Sequence, residues 1–109
     1  GDWRGKLQMV CEQVLLVIYE QQRDNPDARD MDDLAFPVVR EVYAELQDLI
    51  AGVIAEAPAR SLPAAPEALA RGLLYAVRGL GAVARDSDDM RAMTRLQVDL
   101  LCRAVAVGA

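Results

Sequence analysis

Residues 66–84 of the chain read PEALARGLLYAVRGLGAVA, and residues 88–107 read DDMRAMTRLQVDLLCRAVAV. On a helical projection of about 100° per residue, each stretch is apolar over most of its circumference. A surface helix of a monomer needs an apolar stripe only a little over about 100° wide. The firmly polar positions form one narrow line on each helix, and on the second they are Arg95, Asp99 and Arg103. Both stretches therefore predict helices with more apolar surface than one small core can cover.

This surplus surface predicts a homodimer, in which the last two helices contact those of a second copy. A row of small residues runs beside the leucine stripe of 66–84, and Gly72 and Gly79 lie seven residues apart on it. Because a glycine inside a helix costs about 0.5–1 kcal/mol relative to alanine, the row indicates close approach of another helix or, alternatively, of a ligand. The predicted interface comprises Gly72, Ala76, Gly79, Val83, Met93, Leu96, Leu100 and Ala104.

The rest of the sequence also has helical period, and no stretch alternates as a β-strand does. Asp2 can cap a first helix that runs to about residue 22, and a short helical turn is predicted over 26–31. A long helix follows over 34–56, in which Pro37 either lies in the first turn or resets the start of the helix to Phe36. These elements predict an all-α helical bundle. Its core positions are predicted to be Leu7, Val10, Cys11, Val14, Leu15 and Ile18 in the first helix and Val38, Val39, Val42, Leu46, Leu49, Ile50 and Val53 in the long one.

The composition predicts a single globular domain over residues 1–109, since 53% of the residues are hydrophobic and 27% are charged. The longest apolar run of the first helix, 14–19, is far shorter than the roughly 20 residues of a membrane span. No secretion signal is visible, so we expect a cytoplasmic protein without a membrane partner. A net charge of −5 and the lack of a basic cluster argue against direct contact with nucleic acid.

No catalytic or metal site is predicted from the titratable residues. The chain has no histidine, which excludes a nucleophile paired with histidine and the histidine-containing di-iron site of helical bundles. The acid clusters at 30–33 and 86–89 lie at helix starts, where capping, for example by Ser87, explains them. Cys11 and Cys102 have no ligand-like neighbours and are interpreted as packed thiols. We therefore expect neither enzymatic activity nor a cofactor.

A small-molecule site is predicted from the placement of aromatic and methionine side chains. The first helix is apolar on two sides, with Met9 and Leu16 opposite its main stripe. Such side chains with a few convergent polar groups line small-molecule pockets; the alternative is that each belongs to the ordinary core. With a single lysine, the site suits an uncharged or weakly polar ligand unless Arg40 or Arg78 turns inward. The predicted lining residues are Met9, Gln13, Phe36, Tyr43 and Tyr75.

The run from Pro66 to Arg85, followed by Met90 to Val105 with its Leu-Gln-Val-Asp-Leu-Leu segment, resembles the last two helices of the TetR family of bacterial transcriptional repressors. In that family the two helices form a four-helix bundle with their copies in the dimer. The earlier part, with a helix ending near Arg23-Asp-Asn-Pro26, is similar to the effector-binding helices of the same proteins. The resemblance covers most of the chain.

The resemblance implies a ligand-binding and dimerisation domain, in which a small, largely apolar effector enters a cavity among the first three long helices. It also implies that DNA is contacted only through an N-terminal helix-turn-helix headpiece, which this sequence lacks because it starts at the effector half. Either the chain is an excised regulatory domain, or it is a protein without the DNA reader. The alternative function is a stand-alone helical module that docks a partner protein through the same surplus apolar face.

Overall fold

The structure, a computed structural model, describes residues 2–24 and 33–108, with side chains as far as Val105. The described residues contain five α-helices and no strand, which confirms the predicted all-α fold. The predicted turn over 26–31 lies outside the described residues. The helices are Trp3–Val10 (α1), Leu16–Asp24 (α2), Pro37–Ile54 (α3), Pro66–Leu80 (α4) and Ser87–Gly108 (α5), with a π-helix at Cys11–Leu15 and a 3₁₀ turn at Ala59–Ser61.

Most helix starts follow from the capping residues in the sequence. The Asp2 carboxylate accepts a hydrogen bond from the backbone N–H of Gly5 at 3.2 Å and so caps α1. Pro37 and Pro66 are the first residues of α3 and α4, where a proline loses no helical hydrogen bond. Pro37 therefore lies in the first turn of its helix as predicted, but the helix begins at Pro37 with Phe36 as its N-cap and not at residue 34.

The start of α5 corrects one prediction, because Asp86 rather than Ser87 caps this helix. The Asp86 carboxylate accepts a hydrogen bond from the Asp89 N–H at 2.8 Å, and Ser87 is already the first helical residue. Asp89 in turn accepts hydrogen bonds from the backbone N–H and the guanidinium of Arg85, at 2.9 and 3.1 Å. These bonds with Arg85 lower the pKa of Asp89. The carboxylate one residue before Ser87 is the group that reaches an unpaired N–H of the first turn.

The π-helix at Cys11–Leu15 joins α1 and α2 into one continuous rod. A π turn contains about one more residue than an α turn, so the residues after it are rotated around the helix axis. Leu16, which the sequence placed opposite the main stripe with Met9, is consequently buried with 6% exposure, whereas Met9 is 51% exposed. The second apolar side predicted for the first helix was therefore wrong for Leu16.

The core lies between the first rod and the three later helices. Its fully buried side chains include Leu7 from α1, Cys11 from the π-helix, Ile50 and Ile54 from α3, and Leu74 from α4. From α5 it takes Met90, Val98, Cys102 and Val105, which are eight, four and three residues apart and thus lie on one face with the buried Thr94. An ion pair between Lys6 and Glu56, 2.8 Å long, joins the first rod to the residues after α3.

The core-facing side of α3 differs in part from the predicted one. Val39, Ile50 and Val53 are buried as predicted, and Tyr43 and Ile54 are buried with them. Val38, Val42 and Leu49, which were also predicted to be core residues, are exposed, with 64% of Val38 accessible. Burial of the large Tyr43 and Ile54 side chains removes more apolar area from water than burial of two valines would, which favours this rotation of the helix. The outcome is an exposed apolar strip on α3, formed by Val38, Val42 and Leu49.

Candidate functional site

A cleft of about 240 Å³ opens between the first rod, α3, α4 and the start of α5. Its buried apolar floor is formed by Leu15, Tyr43, Val77 and Met90, one from each of these elements. Ile18, Tyr19, Gln22 and Arg78 are half-buried along its walls, and Gly79 and Ala82 lie at the exposed rim, beside Gly81. The cleft therefore combines an apolar interior with an amide, a phenol and a guanidinium, which is the mixture typical of small-molecule sites.

The cleft is positioned by the π-helix and by the end of α4. The π turn that rotates Leu16 into the core also rotates the residues after it, and Ile18, Tyr19 and Gln22 lie along the cleft wall. On the other side, α4 ends at Leu80 and the chain turns at Gly81. A Cβ atom at Gly81 would lie 3.3 Å from the Arg78 carbonyl oxygen and 3.6 Å from Cδ1 of Tyr19, so the glycine permits close approach of the turn to α2.

Tyr43 is the central aromatic residue of the cleft. Its side chain is 3% exposed, and its ring stacks on Tyr75 with centroids 6.0 Å apart and an angle of 28°. The Arg78 guanidinium carbon lies 5.6 Å from the centroid of the same ring, within the range of a cation–π contact. These contacts fix the orientation of Tyr43 and hold Arg78 beside the apolar floor.

The structure separates most of the residues predicted to bind a ligand. Of the five, only Tyr43 lines this cleft, and Tyr75 stacks on it from a partly exposed position. Met9, Gln13 and Phe36 are exposed and are not among its lining residues. The five residues are therefore not all gathered at this cleft: Met9 lies on α1, Gln13 on the π-helix and Phe36 immediately before α3.

The sequence identified Arg40 and Arg78 as residues that would reach the ligand site only if their side chains turned inward, and the structure distinguishes the two. Arg78 lines the cleft, whereas Arg40 donates hydrogen bonds to the carbonyl oxygens of Leu34 and Ala35, at 2.9 and 3.3 Å. Tyr19 and Gln22 line the cleft but were not predicted from the sequence to do so. The available signal was the polar–aromatic spacing of α2, but its phase depends on the π turn.

The cleft continues outward into a wider depression of about 420 Å³. The two share Tyr19, Gln22, Gly81 and Ala82, and the outer part adds Ala84 and two further arginines. These arginines are Arg23, at the end of α2, and Arg85, which is ion-paired with Asp89 at 3.1 Å. Side chains thus change from apolar at the floor to cationic at the mouth.

The predicted dimer surface is largely open to solvent in the single chain. Gly72, Ala76, Gly79 and Val83 on α4 are exposed, with 70% of Val83 accessible. On α5, Leu96, Leu100 and Ala104 are exposed and Met93 is half-buried. Among the described residues, no atom lies within 4 Å of where a Cβ atom would be at Gly72 or Gly79, so none of their contacts requires a glycine at either position. Gly79 belongs both to this surface and to the rim of the cleft.

The polar line of α5 is engaged in two ion pairs. Arg103 pairs with Asp99 at 3.0 Å, as the i, i+4 spacing predicts. Arg95, however, reaches across to Glu12 in the π-helix, which also accepts a hydrogen bond from Gln8 at 3.1 Å. The hydrogen bond from Arg95 is the main reason why the pKa of Glu12 is lowered. This ion pair fastens the π-helix to α5.

The buried thiols have the properties of core residues. Burial, followed by the proximity of Cys102, raises the pKa of Cys11 to about 12, and burial also raises the pKa of Cys102. Both cysteines are free. Among the described residues, no group of three His, Cys, Asp or Glu side chains is arranged to hold a metal ion. Within the same residues, no helix has the length and apolar character needed to cross a membrane.

Comparisons of the chain with protein-family models, with curated proteins and with solved structures find no match. The geometry of the cleft and of the exposed helix faces is therefore the basis for any functional assignment.

Proposed function

We propose that this chain is the regulatory domain of a TetR-like transcriptional repressor of the bacterial cytoplasm, which binds a small, largely apolar effector and forms a homodimer. The observation that carries the proposal is the cleft with a buried apolar floor, which opens among the first rod, α3 and α4. In this proposal, DNA is contacted only through a separate N-terminal domain, and the domain described here has no catalytic role.

The exposed faces of α4 and α5 support the homodimer. Leu96, Leu100 and Val83 are large apolar side chains that the single chain leaves at least half exposed. Large exposed apolar patches on soluble proteins mark interaction sites. A two-fold interface between such faces would need to bury at least about 1,200 Å² in total to be of standard size.

Binding of an apolar molecule to the cleft can be measured with the neutral fluorescent probe N-phenyl-1-naphthylamine. We expect saturable binding with one molecule per chain, since the floor contains four buried apolar side chains. Tyr19→Ala removes a cleft wall and should weaken binding several-fold, whereas Met9→Ala removes an exposed side chain outside the cleft and should not. No saturable binding, or equal effects of the two variants, would contradict the effector site.

A second candidate function is a stand-alone module that docks a partner protein, and the exposed strip on α3 favours it. Val38, Val42 and Leu49 are exposed on a helix separate from α4 and α5. Val42→Asp would place a charge in the strip and should leave homodimerisation unchanged if α4 and α5 form the dimer. Loss of self-association in Val42→Asp, measured by sedimentation equilibrium, would instead make α3 the self-association surface.

A further inference from the structure

The rim of the cleft and the exposed apolar face of α4 have a residue in common. Gly79 and Ala82 line the cleft, and both are exposed. Gly79 also belongs to the exposed row of α4 that ends at Val83, the residue next to Ala82. Because a helix with its side chains is about 10–12 Å across, a helix packed on this row would also cover the adjoining rim of the cleft.

The exposed faces of α4 and α5 have complementary shapes. The α4 row has mostly small side chains at spacings of four, three and four residues: Gly72, Ala76, Gly79 and Val83. The α5 row has larger side chains at spacings of three, four and four residues: Met93, Leu96, Leu100 and Ala104. Spacings of three and four residues are typical of helices that pack side by side at a small crossing angle. One molecule thus carries both a shallow groove and a ridge, as a two-fold contact between identical copies requires.

The charges beside the α5 row also fit a second copy of the chain. Asp99 and Arg103 border the row, are both exposed, and form an ion pair of 3.0 Å within the chain. If two antiparallel α5 helices meet at a two-fold axis that passes between these residues, Asp99 of each copy comes next to an arginine of the other. The eight residues of the two rows are themselves uncharged, so contact along them opposes no like charges although the chain has a net charge of −5.

We propose that the second copy forms part of the ligand site: a leucine of the partner's α5 row packs over Gly79 and covers the rim of the cleft. The inference rests on the proposed function, because it takes the effector cleft and the homodimer and adds a coupling between them. Among the described residues, no atom lies within 4 Å of a Cβ position at Gly79, so this part of the rim has room for such a side chain. A ligand and a partner that meet at one rim stabilise each other, because each removes apolar surface of the other from water.

The coupling is measured with N-phenyl-1-naphthylamine as the ligand, and Tyr19→Ala identifies the binding that belongs to the cleft. The affinity for the probe is determined at protein concentrations from well below to well above the dimer dissociation constant. The dimer should bind the probe at least about fivefold more tightly than the monomer, which is the lower end of the usual range of coupling between sites. Because a dimer has two clefts, saturating probe should lower the dimer dissociation constant by about twenty-fivefold, measured by sedimentation equilibrium.

Two glycine variants provide a matched comparison. Gly72→Leu alters the α4 row at a residue that is not among those lining the cleft, and it should weaken the dimer. At a protein concentration where the wild type is dimeric, Gly72→Leu should therefore bind the probe with the affinity of the monomer. Gly52→Leu, at an exposed position on α3, should bind the probe as the wild type does.

Mixed dimers test whether a side chain of the partner enters the site. One variant carries Tyr19→Ala, which damages the cleft and keeps the α5 row. The other carries Leu96→Ala and Leu100→Ala, which truncate two exposed side chains of the α5 row and keep the cleft. Each variant alone should bind the probe weakly. An equimolar mixture should regain about one quarter of the wild-type number of tight sites, because random pairing makes half of the dimers mixed and each mixed dimer has one complete site.

The outcomes separate this inference from the proposed function. If the probe binds equally well to monomer and dimer, the inference fails while the effector site and the homodimer remain. If the affinity rises on dimerisation but the mixture regains no tight sites, the partner contributes no side chain to the site and the inference also fails. If the wild type is monomeric at every concentration and still binds the probe, the homodimer and the inference fail and the effector site remains. If no probe binds, the effector site itself fails, and the inference fails with it.

Discussion

Gly72→Leu is the substitution that tests the predicted dimer most directly. Gly72 lies on the exposed row of α4 but, unlike Gly79, is not among the residues that line the cleft. In the part of the chain that the structure describes, a Cβ atom at this exposed position would meet nothing within 4 Å, so no described neighbour obstructs a side chain there. Any large loss of self-association caused by the substitution must therefore arise from contact with another molecule.

The substitution is expected to stabilise the helix in the monomer and to destabilise the contact between helices in the dimer. Within the chain, replacement of an exposed helical glycine by leucine should stabilise α4 by roughly 0.5–1 kcal/mol. In a close helix contact, the added side chain should cost about 1–3 kcal/mol through overpacking. A two-fold dimer contains the substitution twice, so its dissociation constant should rise by roughly thirtyfold or more.

Gly52→Leu provides the matched control for this experiment. Gly52 is also an exposed helical glycine whose Cβ would meet nothing within 4 Å, but it lies on α3. Sedimentation equilibrium should show weaker association of Gly72→Leu and wild-type association of Gly52→Leu, and far-ultraviolet circular dichroism should show that both are folded. A wild-type protein that is monomeric at micromolar concentration, or equal association of the two variants, would refute the assignment of α4 to a dimer interface.

Three further substitutions or treatments follow from the local contacts. Asp86→Ala should lower the free energy of unfolding, measured by urea denaturation, by about 1 kcal/mol, and Ser87→Ala should lower it by much less. The reason is that the Asp86 carboxylate accepts a hydrogen bond from the first turn of α5. A larger effect of Ser87→Ala would restore Ser87 as the cap. Because Arg95 lowers the pKa of Glu12 in the folded state, this carboxylate stabilises the protein above its unfolded pKa of about 4.3, and the stabilisation is lost as pH falls through the folded value. Glu12→Gln should therefore have a smaller loss of stability between neutral and acidic pH than the wild type, and an unchanged loss would mean that the ion pair does not persist in solution. With a pKa of about 12, Cys11 should react with Ellman's reagent at neutral pH only when the protein is unfolded, and rapid labelling of two thiols in the folded protein would contradict its burial.

The fold was largely predictable from the sequence because its signals are local. Proline at the first helical position and an aspartate cap determine the starts of α1, α3 and α4, and each acts within one turn. The apolar stripe of α4 was also found, since Leu73 and Val77 are buried at its centre. The stripe of α3 was misplaced because its apolar residues cover more than one face. The choice between those faces depends on what the neighbouring helices bury.

The candidate site was less predictable because it depends on helix phase and on packing between distant segments. The extra residue in the π turn rotates Leu16 into the core. Tyr19 and Gln22, which come after this turn, lie on the cleft wall. No pattern in the sequence of Cys11–Leu15 predicts a π turn there.

The position of Arg78 illustrates the same difficulty for charge. On a helical projection Arg78 belongs to the polar line of α4 with Arg71, seven residues earlier, so periodicity alone does not distinguish the two. In the structure only Arg78 lies level with Tyr43 and with the end of α2, so only Arg78 lines the cleft. Its role therefore follows from the height at which neighbouring helices cross α4, which periodicity does not encode.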